Sequence, residues 1–348
     1  MGEKAAKRSK LKAILATAVV LAALAGGILW WGWTDFKHYA RQPASLKEVP
    51  RVFILRSGLG VKAIARDLHR AGLIQEPFKF QLLARMQKMD RKLQAGEYLL
   101  SPHQSPDEIL AALADGRVRL HKLTFPEGYT LAQITRLAAA SGLAGAAGFA
   151  REVNLPRYAR QLGLDGNSLE GYLFPDTYLF PRQASAAEMV RTMTARFQEV
   201  FSPAWRQRAA ELGFTAHEIV TLASIIEKET GQARERPLIA AVFHNRLKKK
   251  MRLESDPTVI YGIKNFNGNL TRRDLRTPTP YNTYTIAGLP PGPIASPGRA
   301  ALKAALYPAE APYLYFVSKK DGSHQFSTNY KDHLRAVRKY QLGKKKVN

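Results

Sequence analysis

Thr215–Gly231 reads "TAHEIVTLASIIEKETG". At about 100° per residue, Ile219, Leu222, Ile225 and Ile226 fall on one stripe of a helix. Glu229 follows Leu222 by seven residues, Ile225 by four and Ile226 by three, so it continues that stripe into the last turn. Glu227 is rotated toward the edge shared with Val220 and Ala223, and reads as a solvated surface residue. Gly231 reads as the C′ glycine that ends the helix. A carboxyl on an apolar stripe is partly desolvated, and the helix C-terminus adds a negative dipole end. Both raise its pKa, as a general acid near neutral pH requires. Glu229 is therefore the catalytic candidate. The alternative from periodicity alone is an ion pair with Arg234 or Arg236 that simply closes the helix.

Outward from this helix, the chain changes character in both directions. From Ser185 through Lys250 it is strongly helical. Between Asp256 and Gly298 it is rich in Pro, Gly, Asn, Thr and Tyr, too long for a simple connection, which is where binding residues tend to sit. Upstream, from Arg51, short β-type runs alternate with amphipathic helices. Val61, Ile64, Ala65 and Leu68 share a face, as do Leu131, Ile134 and Leu137, and "SPDEILAALADG" starts a helix with Ser105 or Asp107 near the N-cap and Pro106 at its opening. Three such β–α units predict a small α+β module. Residues 34–50, with Pro43 and Pro50, read as a tether.

The N-terminus sets the compartment. Lys4, Lys7, Arg8, Lys10 and Lys12 precede an uncharged run from Ala13 to Trp33. About 21 residues at roughly 1.5 Å each give about 31 Å, one hydrocarbon core. Trp30, Trp31 and Trp33 sit at the far end like an interfacial belt, and the lysines before the span put the N-terminus in the cytoplasm. A cleaved leader ending at Ala23–Ala25 is the alternative, but the apolar run continues past it. Across the membrane, nucleic acid is excluded as a partner despite 53 Lys+Arg against 28 Asp+Glu, a net charge of +25 in 348 residues. That excess fits anionic lipid or an acidic polymer instead. The absence of cysteine excludes disulfides and thiolate catalysis. His217, His244, His324 and His333 have no metal-ligand spacing, so no metal or cofactor is expected.

Seven stretches together resemble the endolytic murein transglycosylases of the YceG-like family: "TFPEGYT" (Thr124–Thr130), "LEGYLFPDTYLF" (Leu169–Phe180), "ASIIEKETG" (Ala223–Gly231), "VFHNRL" (Val242–Leu247), "LESDPTVIYG" (Leu253–Gly262), "TPYNTYTIAGLPPGPIASPG" (Thr279–Gly298) and "LYFVSKKDGSHQFSTNYKDH" (Leu314–His333). The match runs in order over roughly Arg51–Tyr340. The resemblance implies an α+β inner-membrane protein. Its expected parts are a basic cytoplasmic segment (1–12), one transmembrane helix (13–33), the tether (34–50), a LysM-like module (51–122), a mostly helical catalytic domain with long structured loops (123–340) and a basic tail (341–348). It implies Glu229 as the essential acid and a periplasmic catalytic domain. The implied activity is a carbon–oxygen lyase that cuts MurNAc–GlcNAc β-1,4 bonds and leaves 1,6-anhydro ends. Peptidoglycan strands are the implied substrate, and the inner membrane and the peptidoglycan synthases the implied partners. Asp256, Tyr261, Asn282, Tyr284 and Gln325 lie within the matching stretches and are candidate sugar contacts, since amides, hydroxyls and aromatic faces suit sugars. Glu170 is expected to orient a loop. Two other readings stay open: a hydrolase in which Asp256 or Glu254 activates water, and a non-catalytic wall-binding scaffold.

Overall fold

The computed structural model describes residues 2–164, 168–229 and 232–342, with side chains from residue 15 onward. Gly231 and the tail lysines Lys344–Lys346, singled out by their sequence, lie outside the described residues. The chain divides into two compact units, Met1–His121 and Lys122–Asn348.

The first unit begins with α1 (Gly2–Arg41), followed by β1 (Arg51–Leu55), α2 (Val61–Arg70), α3 (Pro77–Met86), β2 (Gly96–Leu100) and α4 (Pro106–Ala114). β1 and β2 pair antiparallel, with Phe53 opposite Tyr98. The buried face of α2 is Val61, Ile64, Ala65 and Leu68, the period-3.6 stripe legible in the sequence. α4 starts with a full capping box, the Ser105 hydroxyl accepting from the Glu108 amide while the Glu108 carboxylate accepts from the Ser105 amide. α1 carries a stretch apolar and long enough to cross a membrane, and its tryptophans are exposed. The helix does not stop at Trp33. Phe36, Tyr39 and Ala40 continue it and are buried in the core of this unit with Phe53, Ile64, Leu68 and Phe80. The reading of 34–50 as a tether therefore fails for its first eight residues: Phe36 and Tyr39, one turn apart, give the helix end an apolar face. That leaves residues 42–50 as the connection.

The second unit is mostly helical. β3 (Leu120–Thr124) leads into it and pairs with β4 (Thr177–Pro181), so the third β–α unit of the sequence does not extend the β1–β2 sheet. Between them come α5 (Leu131–Ala139), α6 (Ala146–Glu152) and α7 (Pro156–Leu162). After β4 follow α8 (Ala186–Val200), α9 (Pro203–Glu211), α10 (Ala216–Glu229), a 3-10 turn (Ala233–Glu235), α11 (Arg236–Lys248), α12 (Asp256–Gly262), α13 (Arg272–Arg276) and α14 (Arg299–Leu306). The hairpin of β5 (Tyr315–Ser318) and β6 (His324–Ser327) and then α15 (Tyr330–Val337) complete it.

α10 is the axis of this unit. Every residue from Ile219 to Ile226 is buried, including Val220 and Ala223. The stripe seen in the sequence is thus only part of a helix enclosed on all sides, with α9, α11, α12 and α14 packed around it. A helix so enclosed must satisfy its polar side chains internally. Ser224, fully buried, donates to the Thr221 carbonyl (2.7 Å) and accepts the Ile294 amide (3.0 Å), which fastens the Pro-rich segment 290–298 to the helix. Gly171 meets the same segment. Its φ of +83° and the 2.6 Å that would separate an added Cβ from Pro293 both require glycine. Gly171→Ala is expected to destabilise the protein by about 1–3 kcal/mol, read as a lower midpoint in denaturant unfolding of the full chain in detergent. An unchanged midpoint would show that the Pro293 contact is dispensable.

Candidate active site

Glu229 is the last residue of α10. Its Oε1 accepts a 2.5 Å hydrogen bond from the Ser255 hydroxyl, and Oε2 has no hydrogen-bond partner among the described residues. Ser255 stands at the N-cap of α12, where a serine ordinarily accepts an amide of its own first turn. Here its hydroxyl makes no such cap and is turned to Glu229 instead. The backbone makes that possible. The Ser255 amide donates to Thr283 Oγ1 (3.0 Å), its carbonyl accepts from Thr258 Oγ1 (2.7 Å), and the two threonine hydroxyls lie 2.8 Å apart. All three residues are buried. Glu254, just before, sits at φ +54°, a left-handed conformation that a glutamate adopts at a cost. Its amide donates to the Thr283 carbonyl (3.2 Å).

Protein packed around the Glu229 carboxyl pushes its pKa up to about 7. The Ser255 hydrogen bond works against that, the charge of Asp256 works with it, and the Arg246 guanidinium opposes it. The residue as a whole is only half-buried, so the acid is desolvated yet reachable. Arg246 is itself buried. It donates to the carbonyls of Leu314 (2.7 Å), Leu253 (2.8 Å) and Arg252 (3.1 Å), pairs with Glu254 (3.1 Å) and stacks over Tyr315.

Glu227 is not the solvated residue its helical position suggested. Its carboxylate pairs with Arg236 (3.2 Å) and accepts the Gly298 amide (3.1 Å), and only 7% of its side chain is exposed. The face it occupies is an interior face, because α10 is enclosed. Arg236, one of the two arginines weighed as a partner for Glu229, is thereby taken, and Arg234 donates to Gln232 instead. Lys228 reaches the Gly128 carbonyl (3.3 Å). Glu127 lies close by, its pKa raised first by burial and then by the charge of Glu227. The E-K-E run thus divides its labour: Glu227 and Lys228 tie α10 to Arg236, Gly298 and Gly128, and Glu229 faces Ser255.

The structure brings two of the candidate sugar contacts to this acid. Tyr284 donates to Asp256 (2.7 Å), and the Asp256 charge acts on Glu229. Asp256 is exposed and Tyr284 half-buried. Tyr261 is engaged elsewhere, donating to Glu170 (3.1 Å) and lying 4.7 Å from the Tyr281 ring. Glu170 is the second acid raised to about 7 by burial, but its other oxygen accepts the Leu131 amide (2.9 Å), so both oxygens are occupied. It ties the start of α5 to α12. Asn282 is fully buried. It donates to the carbonyls of Asp274, Leu275 and Thr277 and accepts the Tyr284 amide, which organises the loop from within. Gln325 lines a separate depression of about 440 Å³ with Tyr313, Asp332 and Arg335. Among the described residues no cluster of His, Asp and Glu is arranged to hold a metal ion.

Sequence reasoning missed Ser255 and the buried pair of Glu235 with His324 (2.7 Å), which fixes β6 against the turn after α10. The sequence offered one signal for the first, a serine ahead of Asp-Pro in a helix-opening position.

The family model described as the YceG-like family matches residues 53–339. The chain is 33% identical over 304 residues to the endolytic murein transglycosylase of Bacillus subtilis, covering 82% of this chain and 83% of that protein. It is 30% identical over 312 residues to the endolytic murein transglycosylase of Streptococcus pneumoniae strain D39, covering 80% of this chain and 56% of the pneumococcal one. The crystal structure of a yceG-like protein from Listeria monocytogenes aligns with a TM-score of 0.56 at 31% identity, over 83% of this chain and 99% of that one.

Two measurements test the site's electrostatics. Glu229 takes up its proton more readily folded than unfolded, so its contribution to stability is full below about pH 4.5 and is lost as pH rises through about 7. Glu229→Gln is therefore expected to stabilise the protein, by about 2 kcal/mol more at pH 8 than at pH 5, at about 1.4 kcal/mol per pKa unit. A pH-independent difference in urea unfolding would contradict the raised pKa. Glu227→Gln should do the opposite and cost about 3 kcal/mol, since it leaves the Arg236 charge without its partner.

Proposed function

The chain belongs to the YceG-like family, and on that footing we propose that it is a lytic transglycosylase that cuts the MurNAc–GlcNAc β-1,4 bonds of peptidoglycan strands, with Glu229 as the one acid and base. The observation that carries this reading is the state of its carboxyl: its pKa pushed up to about 7, one oxygen held by Ser255 and the other without a hydrogen-bond partner among the described residues. In the first step the protonated carboxyl gives its proton to the glycosidic oxygen as the bond to C1 breaks, and an oxocarbenium-like sugar develops. In the second, the carboxylate takes the proton of the MurNAc C6 hydroxyl while that oxygen bonds to C1. The products are a free GlcNAc hydroxyl and a 1,6-anhydroMurNAc end, and Glu229 is again protonated. No water enters.

A hydrolase needs a second carboxylate free to activate water. Asp256, which accepts from Tyr284 through one oxygen, and Glu254, paired with Arg246 through one oxygen, are the candidates for that role, and the product mass decides between the two routes. In this reading Tyr284 and Asp256 contact sugar beside the acid, Tyr261 and Gln325 serve more distant parts of a strand, and Asn282 shapes the loop that carries Tyr284. Residues 51–122 are a LysM-like module. The span in α1 is an inner-membrane anchor with the N-terminus cytoplasmic and the catalytic domain periplasmic. An enzyme so held reaches strands close to the membrane, which suits cutting nascent glycan beside the synthases and ending its elongation.

Digestion of purified glycan strands by the full chain in detergent, read by mass spectrometry, tests the reaction. Products lighter by one water than hydrolysis products are expected. Products that have gained water would establish the hydrolase, and binding without cleavage the scaffold. Glu229→Gln should keep the fold and lose at least about 100-fold in turnover, the lower end for removing a general acid.

A further inference from the structure

Helix α3 carries an apolar stripe that nothing in its own unit covers. Its inner face, Phe80, Leu83 and Ala84, belongs to the core. On the outside, Phe78, Leu82 and Met86 recur every four residues and are 75%, 39% and 47% exposed. Lys79 and Arg85 are the charged residues of this helix, and it carries no acid.

The position of the stripe follows from how α3 is fastened. Lys79 Nζ pairs with Asp35 of α1 (2.7 Å), and the Tyr39 hydroxyl donates to the carbonyl of Glu76 (2.9 Å). Gln75 donates to the Ala44 carbonyl (3.2 Å), and Leu46, two residues on, is 85% exposed. Asp35 and Tyr39 lie two and six residues beyond Trp33, about 3 and 9 Å along the helix axis. The headgroup layer of one leaflet is about 5–8 Å thick. The first turn of α3 is thus pinned to α1 at the height of that layer, with Phe78 on its outer surface between the two attachment points.

We propose that α3 is an interfacial helix. Its Phe78–Leu82–Met86 stripe seats at the boundary of headgroups and acyl chains beside the exit of α1, with Arg85 and Lys88 directed to anionic headgroups. The combination of an apolar stripe with a cation on the helix, Arg85, and another just past its end, Lys88, is what a lipid surface recognises. The consequence is a second membrane contact for the first unit, one that limits its rotation about the anchor. The proposal rests on α1 being a membrane span.

The chain has no cysteine, so single labels are unambiguous. The full chain is reconstituted in vesicles of zwitterionic and anionic phospholipid that contain acyl-chain doxyl lipid, with an environment-sensitive fluorophore on Leu82→Cys, on Ile28→Cys within the span, or on Leu99→Cys on the exposed face of β2. The label at 28 reports the anchor. The label at 82 should be blue-shifted and quenched at least twofold more than that at 99, and Phe78→Ser in the same chain should remove most of the difference. Quenching at 28 with equal signals at 82 and 99 would overturn the proposal and leave the anchor standing. A blue shift at 82 without lipid quenching would mean that a second protein surface covers the stripe, and would overturn it too. Absence of quenching at 28 would remove the anchor itself and the proposal with it.

Discussion

The second unit is organised by the complete enclosure of α10. Eight consecutive residues, Ile219 to Ile226, are shut off from solvent, so their polar side chains are satisfied within the helix, as the Thr221 and Ser224 hydroxyls donate to the carbonyls of His217 and Thr221, or by neighbouring segments. Ser224 is answered by the amide of Ile294, Glu227 by Arg236 and the amide of Gly298, and Glu229 by Ser255. Each answer comes from a different segment. The burial of one helix therefore fixes the Pro-rich segment, the start of α11 and the start of α12 at once, and it is at their meeting point that the carboxyl is held.

The two glutamates at the end of α10 show how different partners give neighbouring carboxyls different tasks. Glu227 is held by the Arg236 guanidinium and the Gly298 amide. Glu229 has one neutral hydroxyl donor, a nearby carboxylate and protein packed around it, and its pKa rises to about 7. Glu170 is raised as far but has no free oxygen. Of these two raised acids, only Glu229 has an oxygen that accepts no hydrogen bond from the described residues, which is the condition for passing a proton to a substrate.

Local pattern made much of this fold legible. The stripe of α2, the cap of α4 near Ser105 and the position of Glu229 at the end of α10 follow from residues within one or two helical turns. What escaped depends on distant partners. Periodicity ranked Val220, Ala223 and Glu227 as an outer edge because it has no access to α14, nor to Gly298, 71 residues away. Ser255 meets Glu229 across 26 residues of chain, through a backbone turn set by Thr258 and Thr283. The pairing of β3 with β4 is likewise non-local. Phe36 and Tyr39 were readable as a helical face, but the prolines after them drew the whole segment into a linker. Among the candidate sugar contacts, residue type suggested all five. Only the fold distinguishes Tyr284 and Asp256, beside the acid, from Asn282, whose amide is spent on the backbone of its own loop.

In the proposed mechanism Glu229 acts while protonated, with its titration set by the enclosing protein and trimmed by Ser255. The pH dependence of kcat/KM on glycan strands, compared between the wild-type chain and Ser255→Ala, tests it most directly. A fall in the wild-type profile is expected at about pH 7 as Glu229 ionises, with a shift of that fall to higher pH in Ser255→Ala, because the lost hydrogen bond favoured the charged form. A basic limb at the same pH in both proteins, with only the maximum lowered, would contradict it: Ser255 would then be structural support, and another group would be the titrating acid.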